Sequence, residues 1–274
     1  MTGLVLFKII TIFILGLIFG SFGQVVMERG ENKKSLGGRS ECDSCGKKIA
    51  WYDNIPLLSY VILRGRCRSC GKRIFWRYPA TELLFGVVFV LVTWQKGFIF
   101  GWLDQKELID TIFYLAISFV LLVILIWDLR YMIIPDGLVV GGLVLAVIYF
   151  GYQYLISPDF LMAVNTDLTR NFLGGLIVGG FFYFLFTVSR GRWIGGGDVK
   201  LGFLLGFLVG WKMSYLFLML AYILGAVPAV YLLLTKKVTA KTKIPFGPFL
   251  ILAGFILMLW GDSVWLGWKW LVGV

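Results

Sequence analysis

Arg192-Trp193-Ile194-Gly195-Gly196-Gly197-Asp198-Val199-Lys200 is a short polar island between two long apolar runs. A carboxylate at the end of a membrane segment is costly unless it has work to do. Three glycines precede it, so the backbone there can approach another helix or a substrate closely. Gly202, Gly206 and Gly210 continue from Asp198 in steps of four, which keeps roughly one helical face. A glycine face of this kind lets a partner helix pack tightly. The pattern predicts a second carboxylate that this face meets.

Working outward, the chain of 274 residues is 59% hydrophobic, with a mean hydropathy of +0.87. That composition predicts an all-α polytopic membrane protein rather than a soluble domain. Roughly 20 residues cross the hydrocarbon core. The apolar runs are Leu4 to about Met27, Ala80 to Phe98, Leu108 to Trp127, Gly137 to Ile156, Phe172 to Val188, Leu201 to Trp211, Tyr215 to Leu234 and Phe249 to about Leu266. They predict about eight transmembrane helices. The sixth is short: begun near Asp198 it covers about 14 residues, or roughly 21 Å, a thin crossing. The first run has no small-residue cleavage site after it and reads as a retained helix. The expected divisions are residues 1–27, a first transmembrane helix; 28–80, a polar segment; and 81–274, a transmembrane catalytic domain.

Charge orients this arrangement. The net charge is +11, yet its distribution points to topology rather than to a nucleic-acid partner. Of the 26 basic residues, 20 fall in the segments joining spans 1–2, 3–4, 5–6 and 7–8, including Arg130, Arg190, Arg192, Lys200, Lys236 and Lys243. Lys96, Lys106, Arg170, Lys212 and Lys269 are the five on the other side, with Lys8 near the N-terminus as the last. The positive-inside rule puts the first group in the cytoplasm. The polar segment, Asp128, Asp136 and Asp198 are then all expected at the cytoplasmic side. The glycine pairs Gly16/Gly20, Gly137/Gly141 and Gly175/Gly179 are expected to mark close helix packing.

The four cysteines sit in the polar segment as two knuckles, Cys42-Asp43-Ser44-Cys45 and Cys67-Arg68-Ser69-Cys70, separated by 21 residues. Each is followed by glycine and a basic residue. Paired CxxC turns suit tetrahedral Zn²⁺, and a reducing cytoplasm disfavours disulfides. Cys42, Cys45, Cys67 and Cys70 are expected to hold one structural zinc, since four thiolates fill the shell and leave no place for a catalytic water. The chain has no histidine, which excludes His-based triads and His-ligated metal catalysis.

Asp128 ends the third run and Asp198 starts the sixth. Two carboxylates brought close cannot both ionise cheaply, so one keeps its proton. Such a pair can activate water and protonate a leaving amine, as in aspartic proteases. Asp136 is a competing partner, but Pro135-Asp136-Gly137 reads as a turn and helix start. A transporter using Asp128 and Asp198 as an ion or proton site is the non-enzymatic alternative. Transporter sites favour the midplane and broken helices, whereas both aspartates are expected at one interface.

Here the chain resembles the type IV prepilin peptidases, leader peptidases that process pilins and type II secretion pseudopilins. The match is carried by Gly20-Ser21-Phe22 with Val25-Val26 and by the double CxxC enclosing Trp51-Tyr52-Asp53-Asn54-Ile55-Pro56-Leu57-Leu58-Ser59-Tyr60. Arg77-Tyr78-Pro79 with Glu82, Asp128 with Ile134-Pro135-Asp136, Gly195-Gly196-Gly197-Asp198-Val199-Lys200 and Pro245-Phe246-Gly247-Pro248 complete it. One departure is Gly23-Gln24, where the family usually has Leu-Asn. The resemblance implies a GxGD aspartyl peptidase of the bacterial inner membrane, with Asp128 and Asp198 as the catalytic pair. It implies cleavage after the glycine that ends a basic leader, at the cytoplasmic face. It also implies S-adenosylmethionine-dependent N-methylation of the new N-terminus, as many members perform. A presenilin-like GxGD protease shares the chemistry but lacks the cysteine segment and the Pro-Phe-Gly-Pro stretch.

Overall fold

A computed structural model describes residues 2–31, 35, 37–99, 104–155, 169–235 and 244–273. Lys33, Lys34, Lys236, Lys237, Lys241 and Lys243 of the charge count lie outside them. The described residues are helical without a strand. Seven of their helices are long and apolar enough to cross a membrane. The chain divides into two compact units, Met1–Phe119 and Val120–Val274.

In the first unit, α1 (Thr2–Glu31) is followed by the cysteine segment, which carries a 3-10 turn at Trp51–Asn54 and the short α2 (Leu58–Ile62). Then come α3 (Arg77–Gln95) and the start of α4 (Gln105–Tyr131). α1 and α3 pack backbone to backbone. A methyl group on Gly16 would lie 2.6 Å from Gly86 Cα, and one on Gly20 would lie 2.8 Å from Glu82 Cα. Small residues are what permit this approach where lipid offers no hydrophobic drive to association. Phe19, Phe85 and Phe119 close the seam, Phe119 standing 5.5 Å and 5.8 Å from the other two ring centres.

The second unit holds the end of α4, α5 (Asp136–Leu155), α6 (Thr169–Ser189), α7 (Gly196–Val209), α8 (Trp211–Leu234) and α9 (Gly247–Val272). α7, the thin sixth element, has 14 residues and is not among the seven spans. It stops at Gly210, whose φ of +75° suits glycine, and α8 starts at once from Trp211. The expected start at Tyr215 is therefore corrected: the glycine break needs no polar linker.

The glycine face of α7 meets α6, not a helix bearing the second carboxylate. A methyl on Gly202 would lie 2.5 Å from Phe182, one on Gly206 2.8 Å from Val178 Cβ, and Gly174 of α6 faces Gly206. Gly175 and Gly179 take Phe203 of α7 between them. Gly16/Gly20 and Gly175/Gly179 thus mark close packing. Gly137/Gly141 does not, since no side-chain or tertiary backbone atom lies within 4 Å of a methyl built on either.

Candidate active site and metal centre

Asp128 lies in the last turn of α4, which ends where Met132 takes a φ of +53° and its amide returns to the Asp128 carbonyl at 2.9 Å. The Asp128 side chain is 4% exposed. Its Oδ2 is buried and accepts no hydrogen bond from the described residues. It faces Gly247, the first residue of α9, so closely that a methyl group there would lie 2.5 Å from Oδ2. Only glycine leaves that carboxylate its space.

Asp198 occupies the first turn of α7, half-buried. Its Oδ2 accepts from the Gly195 amide at 3.1 Å, and its own amide donates to the Gly195 carbonyl at 3.1 Å. This closure satisfies an amide the helix itself leaves open and fixes the carboxylate's direction. Ile134 packs against two glycines, Gly247, which faces Asp128, and Gly197, which precedes Asp198. Its Cδ1 lies 3.4 Å from the methyl position of Gly247, and its Cβ lies 2.9 Å from that of Gly197. Ile134 thereby links the glycine that faces Asp128 to the glycine that precedes Asp198. Tyr222 of α8 lies tilted 5.4 Å from the Phe246 ring, which sits 6.0 Å from Phe182. These rings give the pair an apolar flank.

Asp136 is placed differently. It begins α5, and its Oδ2 accepts from Lys200 Nζ at 2.7 Å, with both side chains more than half exposed. Ile134 and Tyr222 carried no chemical signal in the sequence beyond Ile134's place in a motif, because their contacts join distant segments.

In the first unit the two knuckles repeat one geometry. The Cys42 amide donates to the Lys47 carbonyl and the Gly46 amide to the Cys42 carbonyl; Cys67, Lys72 and Gly71 do the same. Gly46 and Gly71 have φ of +66° and +70°, so each turn needs its glycine. The four Sγ atoms lie within 4.8 Å of one another. Sulfurs bound about 2.3 Å from a tetrahedral zinc stand roughly 3.8 Å apart, and Cys42 and Cys70 Sγ are 3.9 Å apart. The donor set and spacing fit the metal. Arg68 grips Asp53 through two nitrogens, at 2.7 and 2.9 Å. That contact ties the second knuckle to the 3-10 turn and holds the Asp53 carboxyl below its ordinary range.

Comparison with known proteins follows the same division. Residues 14–96 match the Bacterial Peptidase A24 N-terminal domain, and residues 115–230 match the Type IV leader peptidase family. A relative from Pseudomonas putida is 33% identical over an alignment that covers 92% of this chain and 90% of its own. The chain belongs to the type IV leader peptidase family. That relative, one from Stutzerimonas stutzeri (33% identical; 82% of this chain, 73% of its own) and one from Aeromonas hydrophila (34%; 82% and 73%) are all named prepilin leader peptidase/N-methyltransferase. No solved structure matches the chain. Membership and the seven spans make this leader peptidase a multi-pass membrane enzyme.

Proposed function

We propose that this enzyme removes the basic leader of type IV prepilins or pseudopilins at the cytoplasmic face of the bacterial inner membrane, with Asp128 and Asp198 as its acid–base pair. The observation that carries the reading is the buried Asp128 carboxylate, held open by Gly247, with Ile134 packed against both Gly247 and Gly197, the residue before Asp198. One carboxylate takes a proton from water as the water attacks the scissile carbonyl. The other donates a proton to the carbonyl oxygen, and the leaving amine is protonated as the bond breaks. The substrate class is supported by the relatives' names. It also suits the physics: a prepilin is a basic leader followed by an apolar helix. That helix can lie in the bilayer while its junction reaches the interface.

Cys42, Cys45, Cys67 and Cys70 hold one zinc in this reading, supported by the sulfur spacing. The metal braces a segment too small to depend on a core of its own. S-adenosylmethionine supplies the methyl group for the new N-terminal amine, a second activity supported by the relatives' names.

The test is to incubate purified protein in detergent with a prepilin-like peptide, with and without S-adenosylmethionine, and to read both products by mass. Cleavage after the leader glycine in both arms, with a methyl added only in the second, is the expected result. Intact peptide with folded, zinc-loaded protein would overturn the reading.

A further inference from the structure

A cavity of about 390 Å³ opens within the first unit, in the size range of small-molecule sites. Gln24 of α1 lines it and is 3% exposed. Its Nε2 donates to the Tyr78 carbonyl at 2.9 Å, and this contact fixes which end of the amide is nitrogen. The other end, Oε1, is a buried acceptor with no partner among the described residues. Native interiors seldom leave such an atom unsatisfied.

The surrounding wall is rich in acceptors as well. Glu82 of α3 accepts from the Leu57 amide at 2.9 Å. It pairs with no cation among the described residues. The Tyr78 hydroxyl donates to Glu28 Oε1 at 2.6 Å and lies 3.0 Å from Asp43 Oδ2. The basic residues that border the cavity are all exposed, and Arg68 is committed to Asp53. A cavity with one buried unpartnered acceptor and a carboxylate inside, bordered by basic residues that are all exposed, suits a cationic, donor-bearing ligand.

We propose that this cavity binds the sulfonium methyl donor, with Gln24 Oε1 and the Glu82 carboxylate facing its cationic and N–H groups. The inference rests on the methylation reading and adds the site. S-adenosylmethionine carries a sulfonium and an ammonium, whereas S-adenosylhomocysteine is the same molecule with a neutral thioether, so the pair reads the site's demand for charge.

The experiment is isothermal titration of the full-length, zinc-loaded protein in detergent with each compound, and with a lysine-rich leader peptide. The sulfonium compound is expected to bind about tenfold tighter than the thioether. Glu82→Gln should remove that preference, and Gln24→Leu should weaken both. Zinc content and melting temperature check that the variants fold. Should they not fold, ultraviolet crosslinking of labelled S-adenosylmethionine to the unaltered protein is expected to mark peptides containing residues 21–28 or 77–82. Donor binding that ignores both substitutions, or a label mapped elsewhere, overturns the assignment while methylation stands. Displacement of the donor by the leader peptide would give the cavity to the leader instead. No donor binding by a protein that still cleaves would remove the methylation reading along with this one.

Discussion

At the residue scale, the candidate site depends on what is missing as much as on what is present. Gly247 leaves Asp128 Oδ2 room that any side chain would take, since a methyl would sit 2.5 Å away. Gly247→Ala should therefore lower the cleavage rate at least about tenfold, because a catalytic constellation tolerates only about 0.5 Å of displacement; zinc content should stay near the unaltered value. Asp136 gives the contrasting case. Its ion pair with Lys200 joins two exposed side chains, a contact worth about 1 kcal/mol or less. Asp136→Asn should retain most of the melting temperature and more activity than either Asp128→Asn or Asp198→Asn, measured in one peptide assay. Asp128 and Asp198 stand out in the sequence as candidates because each carboxylate breaks an apolar run. Ile134 and Tyr222 do not, since an aliphatic or a tyrosine in a membrane protein is ordinary until its long-range contact is known.

The element that most repays attention is α7. Its glycines and length were legible, but the use of its glycine face was not. Four-residue spacing shows that a close partner exists and says nothing of which helix it is. The partner is α6, and Gly174, Val178 and Phe182 fill the face. Apolar runs stop short of the helix ends for a related reason. Hydropathy marks the part of a helix in hydrocarbon, while the backbone hydrogen bonds continue into the polar zone, so α1 reaches Glu31 rather than Met27. Because α6 and α7 cross at glycine, Gly206→Leu should overpack the seam and cost about 1–3 kcal/mol or more, read as a lower melting temperature in detergent. The same change at Gly141, where a methyl would meet nothing within 4 Å, should leave melting unchanged. Equal losses at both positions would mean that the crossing has been misassigned.

For the whole molecule, the cysteine segment offers a test of the proposed zinc. Cysteine ligands bind metal as thiolates, so protons compete with zinc and acidification weakens the site. Zinc content is expected near one per chain at neutral pH, and to fall on dialysis against chelator at about pH 5. Cys42→Ser should fall faster. Full zinc content in a protein lacking all four cysteines would place the metal elsewhere. Topology carries a second test. The charge asymmetry expects reporter fusions at Gly38 and Gly97 to lie on opposite sides, the first cytoplasmic. The opposite readout at Gly38 would turn the proposed site to the wrong face.

The central claim is that Asp128 and Asp198 act as one unit, and cleavage by the paired variants tests it most directly. Asp128→Asn, Asp198→Asn and the double variant would be purified with zinc content and melting temperature checked, and leader release would be followed by mass. Residues that act together are non-additive, so each single variant is expected to lose detectable cleavage and the double variant to be little worse. Normal cleavage by folded Asp128→Asn, with a folded but inactive Asp136→Asn, would show that Asp136 and not Asp128 is the partner of Asp198.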